Sequence, residues 1–301
     1  MNHPPVWRSL LYVPVHVERF VEKAHLRGAD CIQLDLEDSV PGPEKPAARA
    51  AIATAAPKVR RGGADVLVRI NAPLALAVRD IEAAVCPGVD GLVLTKLRGA
   101  DHVHLLEELV AERERVAGLP PGSIAFLLLV ETPEALPHAH AIAAASPRAV
   151  AMSLGAEDFA TAIGTEPTED AMALPRQLVL FAARAAGIIP LGLTGTLAGF
   201  ADPEAFHAMA VRSRRAGFEG ASCINPAQVA PLNAAFTPTA DEVHYATRVI
   251  ATDAEARAHG RGAVALDGRM IDVPVVRRAE RLLARHEAIR RRQAAQAETA
   301  R

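Results

Sequence analysis

Eight short apolar runs, each of strand length, recur along this 301-residue chain. They read SLLYVPV (9–15), CIQLDLE (31–37), DVLVRIN (65–71), GLVLTK (91–96), IAFLLLVE (124–131), AVAMSLG (149–155), IIPLGL (188–193) and GASCIN (220–225). Near-continuous apolar strands are buried on both faces, as in a parallel sheet covered by helices. Between them lie Ala-, Glu- and Arg-rich segments with helical spacing, such as Val17–Arg27, Lys45–Ala56, Ala100–Ala117 and Glu204–Ala216. Strand and helix alternate eight times, which predicts an α/β fold of the (β/α)8 TIM-barrel type. A doubly wound open sheet is the alternative. It fits less well, because the count is eight and no Gly-rich phosphate loop follows the first run.

After the eighth run the pattern changes, which divides the chain into a barrel over 1–236 and a C-terminal helical lid or extension over 237–301. Thr237-Pro238 opens a helix-like stretch to about Ala258, followed by a Gly-rich break, HGRGAVALDGRM (259–270). Val275, Ala279, Leu282, His286 and Ile289 then recur at helical spacing. The polar tail RRRQAAQAETAR is expected to fray.

Composition narrows the functional classes. Formal charge is −2, so no general field attracts nucleic acid. Cys31, Cys86 and Cys223 are odd in number and far apart, neither a disulfide framework nor a metal spacing, and a reducing cytoplasm is expected. No apolar run approaches the roughly 20 residues a membrane span needs.

The polar residues gather at one end of the runs. Seven residues from Ile124 to Val130 are apolar, and Glu131 follows at once. The second run ends in DLED with Glu37 and Asp38, the third carries Arg69 and Asn71, the fourth ends in Lys96, and the eighth in Asn225. Asp158 follows the sixth run in GAEDF. In a barrel of this type the C-terminal strand ends form the active site. Glu131 and Asp158 come from adjacent runs and could share one hard cation, Mg²⁺ by preference, with oxygen ligands and exchangeable waters. Each could instead cap the helix that follows it. Arg69 can bind a carboxylate or carbonyl oxygen, or form a buried salt bridge to Asp35, Glu37 or Asp38. Lys96 is either a substrate contact or a rim charge. His16 reads as a surface histidine.

With these residues in place the chain resembles the citrate lyase β-subunit-like family, which includes malyl-CoA and citramalyl-CoA lyases, within the HpcH/HpaI aldolase superfamily. The resemblance rests on RSLLYVP (8–14), LDLEDSV (34–40), EKPAAR (44–49), VRIN (68–71), GLVLTK (91–96), ETPEAL (131–136), LGAEDFA (154–160), INPAQV (224–229) and GRMIDVPVVRRAERLL (268–283), in order. It implies a lyase dependent on Mg²⁺, or Mn²⁺, that cleaves or forms a 3-hydroxyacyl-CoA thioester, with a keto acid as the other product. Glu131 and Asp158 match the metal ligands, Arg69 the arginine on the keto acid, and Glu37 and Asp38 the carboxylates behind it. Asp272 matches a catalytic aspartate on a lid that reaches a neighbouring subunit, which implies a homo-oligomer, trimer or hexamer. Without the family, Asp272 reads as the N-cap of the last helix. Arg8, Arg19 and Lys23 are candidates for the CoA phosphates, and Lys96 and Asn225 for substrate contacts. Three departures concern the substrate: Val15 before His16 in place of a glycine, Asn225 in place of a histidine, and PLGLTGTLAGFAD (190–202) in place of an acidic run. The alternatives are a hydroxyacyl-CoA thioesterase, a citrate lyase β-subunit acting on an acyl-carrier protein, and a non-catalytic binding barrel.

Overall fold

The structure, a computed structural model, describes residues 5–196, 202–260 and 264–299. Contacts divide the chain into two compact units that meet at Phe236/Thr237. In the first, eight strands pair in parallel: β1 (Ser9–Pro14), β2 (Cys31–Asp35), β3 (Asp65–Ile70), β4 (Gly91–Leu94), β5 (Ala125–Val130), β6 (Ala149–Leu154), β7 (Ile189–Leu191) and β8 (Ala221–Cys223). Neighbours in sequence pair in order, and β8 returns to β1. A parallel bridge from Leu191 to Gly220 closes the ring.

Nine helices of the first unit are described: α1 (Glu18–Ala24), α2 (Lys45–Arg60), α3 (Leu74–Ala84), α4 (Ala100–Ala117), α5 (Ala139–Ala143), α6 (Ala156–Ala162), α7 (Glu169–Ala185), α8 (Pro203–Ala216) and α9 (Val229–Ala235). Fully buried strands such as β2 and β5 have apolar neighbours on both sides. Outward side chains such as Ile32, Phe126 and Leu128 pack under the helices, whereas Leu10, Leu67, Leu127 and Leu129 fill the barrel interior. The period of two along a strand then determines what reaches the mouth. The inward series Leu127, Leu129 continues to Glu131, and Leu67 continues to Arg69.

The observed strands are shorter than the apolar runs, so Glu37, Asn71, Lys96, Glu131 and Asn225 lie just beyond strand ends, in the loops. Helix α2 runs on to Arg60 through Pro57, past the end that its spacing suggests.

The second unit contains α10 (Ala240–Ala258), a hairpin of β9 (Val264–Leu266) and β10 (Arg269–Ile271), and α11 (Val273–Thr299). The α10 helix is capped by Thr239, whose hydroxyl accepts from Glu242 N while Glu242 returns to Thr239 N, rather than by Thr237. Part of the Gly-rich break is this hairpin: Asp267 and Gly268, at φ 50° and 75°, form its two-residue turn. Positions 261–263 of that break lie outside the described residues. The tail expected to fray is helical to Thr299, because Ala, Gln, Arg and Glu are strong helix formers. No described helix is long and apolar enough to cross a membrane.

Candidate active site

Glu131 is the first residue after β5 and is 3 % exposed. It caps no helix, since the chain turns at Thr132–Ala135 before a short 3-10 segment, Leu136–His138. Its Oε2 instead accepts from the backbone N–H of Lys96 at 2.5 Å. Lys96 adopts φ 49°, a left-handed conformation that costs a non-glycine residue about 1–3 kcal/mol. Gly155, which ends the loop after β6, lies against the same carboxylate: a Cβ there would come within 2.4 Å of Glu131 Oε1.

Asp158 sits in the first turn of α6, where the N-cap is Gly155 and no side chain caps the helix. Its carboxylate accepts no hydrogen bond among the described residues; it faces Lys96 Nζ at 3.6 Å. Glu37, Lys96, Glu131 and Asp158 together line an open cleft of about 1030 Å³ at the C-terminal ends of β2, β4, β5 and β6.

Cations and carboxylates interlock beside this cleft. Arg69 donates through Nε and NH2 to both oxygens of Asp35, at 2.7 and 2.6 Å, and through NH1 to Asp38 at 3.3 Å, while NH1 forms an ion pair with Glu37 at 2.9 Å. Its guanidinium lies 4.6 Å from the centre of the Tyr12 ring. Lys96 Nζ donates to Glu37 Oε1 at 2.6 Å and lies 3.5 Å from Asp38. Asp35 and Arg69 are register partners in β2 and β3, so sheet pairing itself sets their bidentate contact. Arg69 is thus ion-paired to all three predicted carboxylates, to Asp35 and Glu37 in buried contacts and to the exposed Asp38, while remaining at the mouth.

Five carboxylates (Asp35, Glu37, Asp38, Glu131, Asp158) meet two cations (Arg69, Lys96), and the excess negative charge falls on Glu131. Burial lifts its carboxyl from the ordinary 4.5 to about 7; Asp158 and Glu37 push the same way, against the Lys96 amide. Burial also lifts Glu37. Burial alone would raise Asp35 too, but the Arg69 hydrogen bonds outweigh it and hold Asp35 below the usual range.

Two predicted substrate contacts have other partners within the chain. Arg8 precedes β1 at the opposite rim, is 2 % exposed, and grips both oxygens of Asp30 at 2.8 Å through Nε and NH2, so it cannot meet a CoA phosphate. Asn225 uses its carboxamide oxygen to accept from Ala227 N, capping the 3-10 turn Pro226–Gln228, and does not line the cleft. Asp272 belongs to the second unit, where its Oδ1 accepts from Val275 N at the start of α11. Asn71 is buried and donates to Leu36 O and Asp80, bracing the β3 loop. His16 faces Glu44 rather than the cleft. Of the departure at 190–202, positions 197–201 lie outside the described residues.

Sequence reading missed Tyr12 as a site residue, although it follows Leu10 by two in β1 and so faces inward. It named Asp35 only as a salt-bridge partner.

Residues 8–226 match the model of HpcH/HpaI aldolase/citrate lyase. The chain belongs to this family. Among its relatives, the citrate lyase subunit beta of Leuconostoc mesenteroides subsp. cremoris is 35 % identical, over 94 % of this chain and 94 % of that one. The L-malyl-CoA/beta-methylmalyl-CoA lyase of Rhodobacter capsulatus is 33 % identical, over 91 % of this chain and 92 % of that one. A crystal structure of CitE from Mycobacterium tuberculosis, in complex with magnesium, acetoacetate and coenzyme A, covers 95 % of this chain and 100 % of its own, at TM-score 0.73 and 30 % identity. The barrel and its HpcH/HpaI membership, read from the strand count and the motifs, are therefore shown.

Proposed function

We propose that the chain is a divalent-metal-dependent carbon–carbon lyase that cleaves or forms a 3-hydroxyacyl-CoA thioester of the malyl, citramalyl or citryl type. The observation that carries this reading is the pair Glu131 and Asp158. Both carboxylates line one cleft, Glu131 Oε1 and both Asp158 oxygens accept no hydrogen bond among the described residues, and the surrounding charge is negative. Such a pair fits Mg²⁺, or Mn²⁺, which take oxygen ligands; Mg²⁺ in particular keeps several waters. Among the described residues no three His, Cys, Asp or Glu side chains form a closed cage, in keeping with two protein ligands and positions left for water and substrate. When bound, the cation would supply Lewis-acid stabilisation of the charge that moves onto oxygen during C–C cleavage or formation.

The chain's own residues supply binding and orientation. Arg69, fixed by Asp35, would donate its remaining N–H groups to the keto acid's oxygens. Glu37 and Asp38 hold Arg69 and Lys96 in place, and Lys96 neutralises part of the charge around an anionic substrate. In cleavage the hydroxyl loses its proton, the C–C electron pair passes to the acetyl thioester, and that carbon is reprotonated. In condensation Asp272, supplied by a neighbouring subunit of a trimer or hexamer, would take the proton from acetyl-CoA. The family pattern supports that role. The second unit, 237–301, would then serve as a lid on the neighbouring subunit.

Beside β1, Arg19, Lys23, Arg27 and Phe20 line a cavity of about 380 Å³, which suits the phosphates and ring of coenzyme A better than Arg8 does. The CitE complex holds magnesium and coenzyme A together, which supports the same pairing here. A cytoplasmic setting accords with three free cysteines.

The test is a Mg²⁺-dependent assay of malyl-, citramalyl- and citryl-CoA, with products identified. Keto acid plus acetyl-CoA supports the lyase. Free hydroxy acid plus CoA shows a thioesterase, and turnover only on an acyl-carrier protein shows a citrate lyase subunit.

A further inference from the structure

The mouth of the barrel holds another cavity, of about 100 Å³, that the reading above leaves unused. This is well above the roughly 10–15 Å³ that one water requires. Inward side chains from several strands line it, among them Tyr12, Leu129, Ser153 and Ser222. It adjoins the metal cleft: Tyr12 carries the Arg69 guanidinium on its ring, and Ala156 and Glu157 wall the cavity immediately before Asp158.

Arg176, from α7, also lines this cavity and is 5 % exposed. No carboxylate pairs with it among the described residues. NH1 donates to Thr194 O at 2.5 Å and NH2 to Gly195 O at 3.0 Å, which uses two of its five N–H groups on neutral carbonyls. The acids whose charges reach it are engaged elsewhere. Glu157 accepts from the Thr196 hydroxyl at 2.7 Å, and Glu169 faces Arg212 at 3.7 Å. Burial accordingly pulls the guanidinium down to about 10, with Glu169 and Glu157 only partly opposing it. A buried cation without an anion is costly, and a structure keeps one where a ligand completes it. The hydroxyl-bearing side chains Tyr12, Ser153 and Ser222 also line the cavity, where Ser153 donates to Leu154 O and Ser222 accepts from Gln33.

We propose that the Arg176 cavity receives a second carboxylate of the acyl group, so that the keto acid made or used is dicarboxylic, of the oxaloacetate class, rather than pyruvate or glyoxylate. The inference rests on the lyase reading for where the α-keto acid end sits. It makes Arg176 a substrate-binding residue that sets specificity.

The test compares wild type, Arg176→Met and Arg176→Lys. Citryl-CoA carries the distal carboxylate, whereas citramalyl-CoA has a methyl there. Losing a hydrogen-bonded charge pair costs about 1.5–3 kcal/mol, roughly a 10- to 100-fold change. Arg176→Met should therefore lower kcat/KM for citryl-CoA by about that factor, mostly through KM, with citramalyl-CoA changed about threefold or less; Arg176→Lys should retain part of the citryl-CoA preference. A merely structural arginine, pinning Thr194 and Gly195, would lower both substrates alike, and that result overturns the proposal. Calorimetry of fresh oxaloacetate and pyruvate with the Mg²⁺-loaded protein judges the site without turnover. Wild type should bind oxaloacetate about tenfold or more tightly than pyruvate, and Arg176→Met should bind the two alike. Equal affinities in wild type overturn the assignment. A wild type that shows the binding difference but cleaves none of the esters leaves the carboxylate site standing and sinks the lyase reading.

Discussion

The backbone N–H of Lys96 lies 2.5 Å from Oε2 of Glu131, while the Lys96 ammonium lies 2.6 Å from Glu37 and 3.6 Å from Asp158. One residue thus ties carboxylates from the loops after β2 and β5 and from the first turn of α6, and its φ of 49° is what lets the amide and the ammonium serve different partners. Alanine and glycine at this position both remove the ammonium, but only glycine tolerates the backbone. Lys96→Gly should therefore be more stable than Lys96→Ala by about 1–2 kcal/mol. Thermal or denaturant unfolding of the pair reads this directly. Equal stabilities would mean that the left-handed backbone is not retained.

Gly155→Ala is expected to damage the proposed metal site from outside it. The added Cβ would meet Glu131 Oε1 at 2.4 Å and Cγ at 2.5 Å, so the carboxylate must move. Stability should fall by about 1–3 kcal/mol, as for other overpacked sites. Mg²⁺ affinity should fall about tenfold or more. Calorimetry on the folded variant checks this, and unchanged affinity would show that Glu131 is not a ligand in that pose.

The pH dependence follows from Glu131. Its folded pKa, about 7, lies above its ordinary 4.5, so the folded state holds the proton more tightly than the unfolded chain. In metal-free protein the stability tied to this group is present below about 4.5 and is lost as pH rises to about 7. A cation must displace that proton, so Mg²⁺ affinity should rise across pH 6–8. Glu131→Gln should flatten the stability slope. A melting series in EDTA, with wild type and variant side by side, measures it.

Glu114 provides the contrast. At the opposite rim, it accepts two hydrogen bonds from Arg148 at 2.7 Å and further ones from Ile124 N at 2.8 Å and Gly122 N at 2.9 Å. Burial would raise its pKa, but Arg148 and the two amides hold it near 2. Glu114→Gln leaves the buried Arg148 only Glu107, 3.5 Å from its Nε, as an anion and should cost about 1.5–3 kcal/mol. Mg²⁺ affinity of the folded fraction should not change, and a matching loss of affinity would contradict the separation of rims.

Much of the site was legible because strands repeat every two residues. Once Leu127 and Leu129 face the barrel interior, Glu131 must face its mouth, and Leu67 sends Arg69 there likewise. What a linear reading could not supply was which end of a strand a charge occupies and what it touches across the sheet. Arg8 looked like a free cation near β1, yet Asp30 meets it from the start of β2, 22 positions away. Asn225 looked like a substrate contact, but the Pro226 that follows starts a turn whose Ala227 amide claims its oxygen. Arg176 drew no notice inside a helical segment, because its lack of an acidic partner is visible only after folding. The Asp267-Gly268 turn was available as a hairpin signal and was read only as a break.

The most direct measurement is Mg²⁺ binding to wild type and Asp158→Ala by calorimetry, with circular dichroism on both. Asp158 is half-exposed and accepts no hydrogen bond among the described residues, so its removal should leave fold and melting temperature near wild type while metal affinity and metal-dependent turnover are lost. An Asp158→Ala protein that binds Mg²⁺ and turns over ester as wild type does would contradict the shared-cation site at the centre of this account.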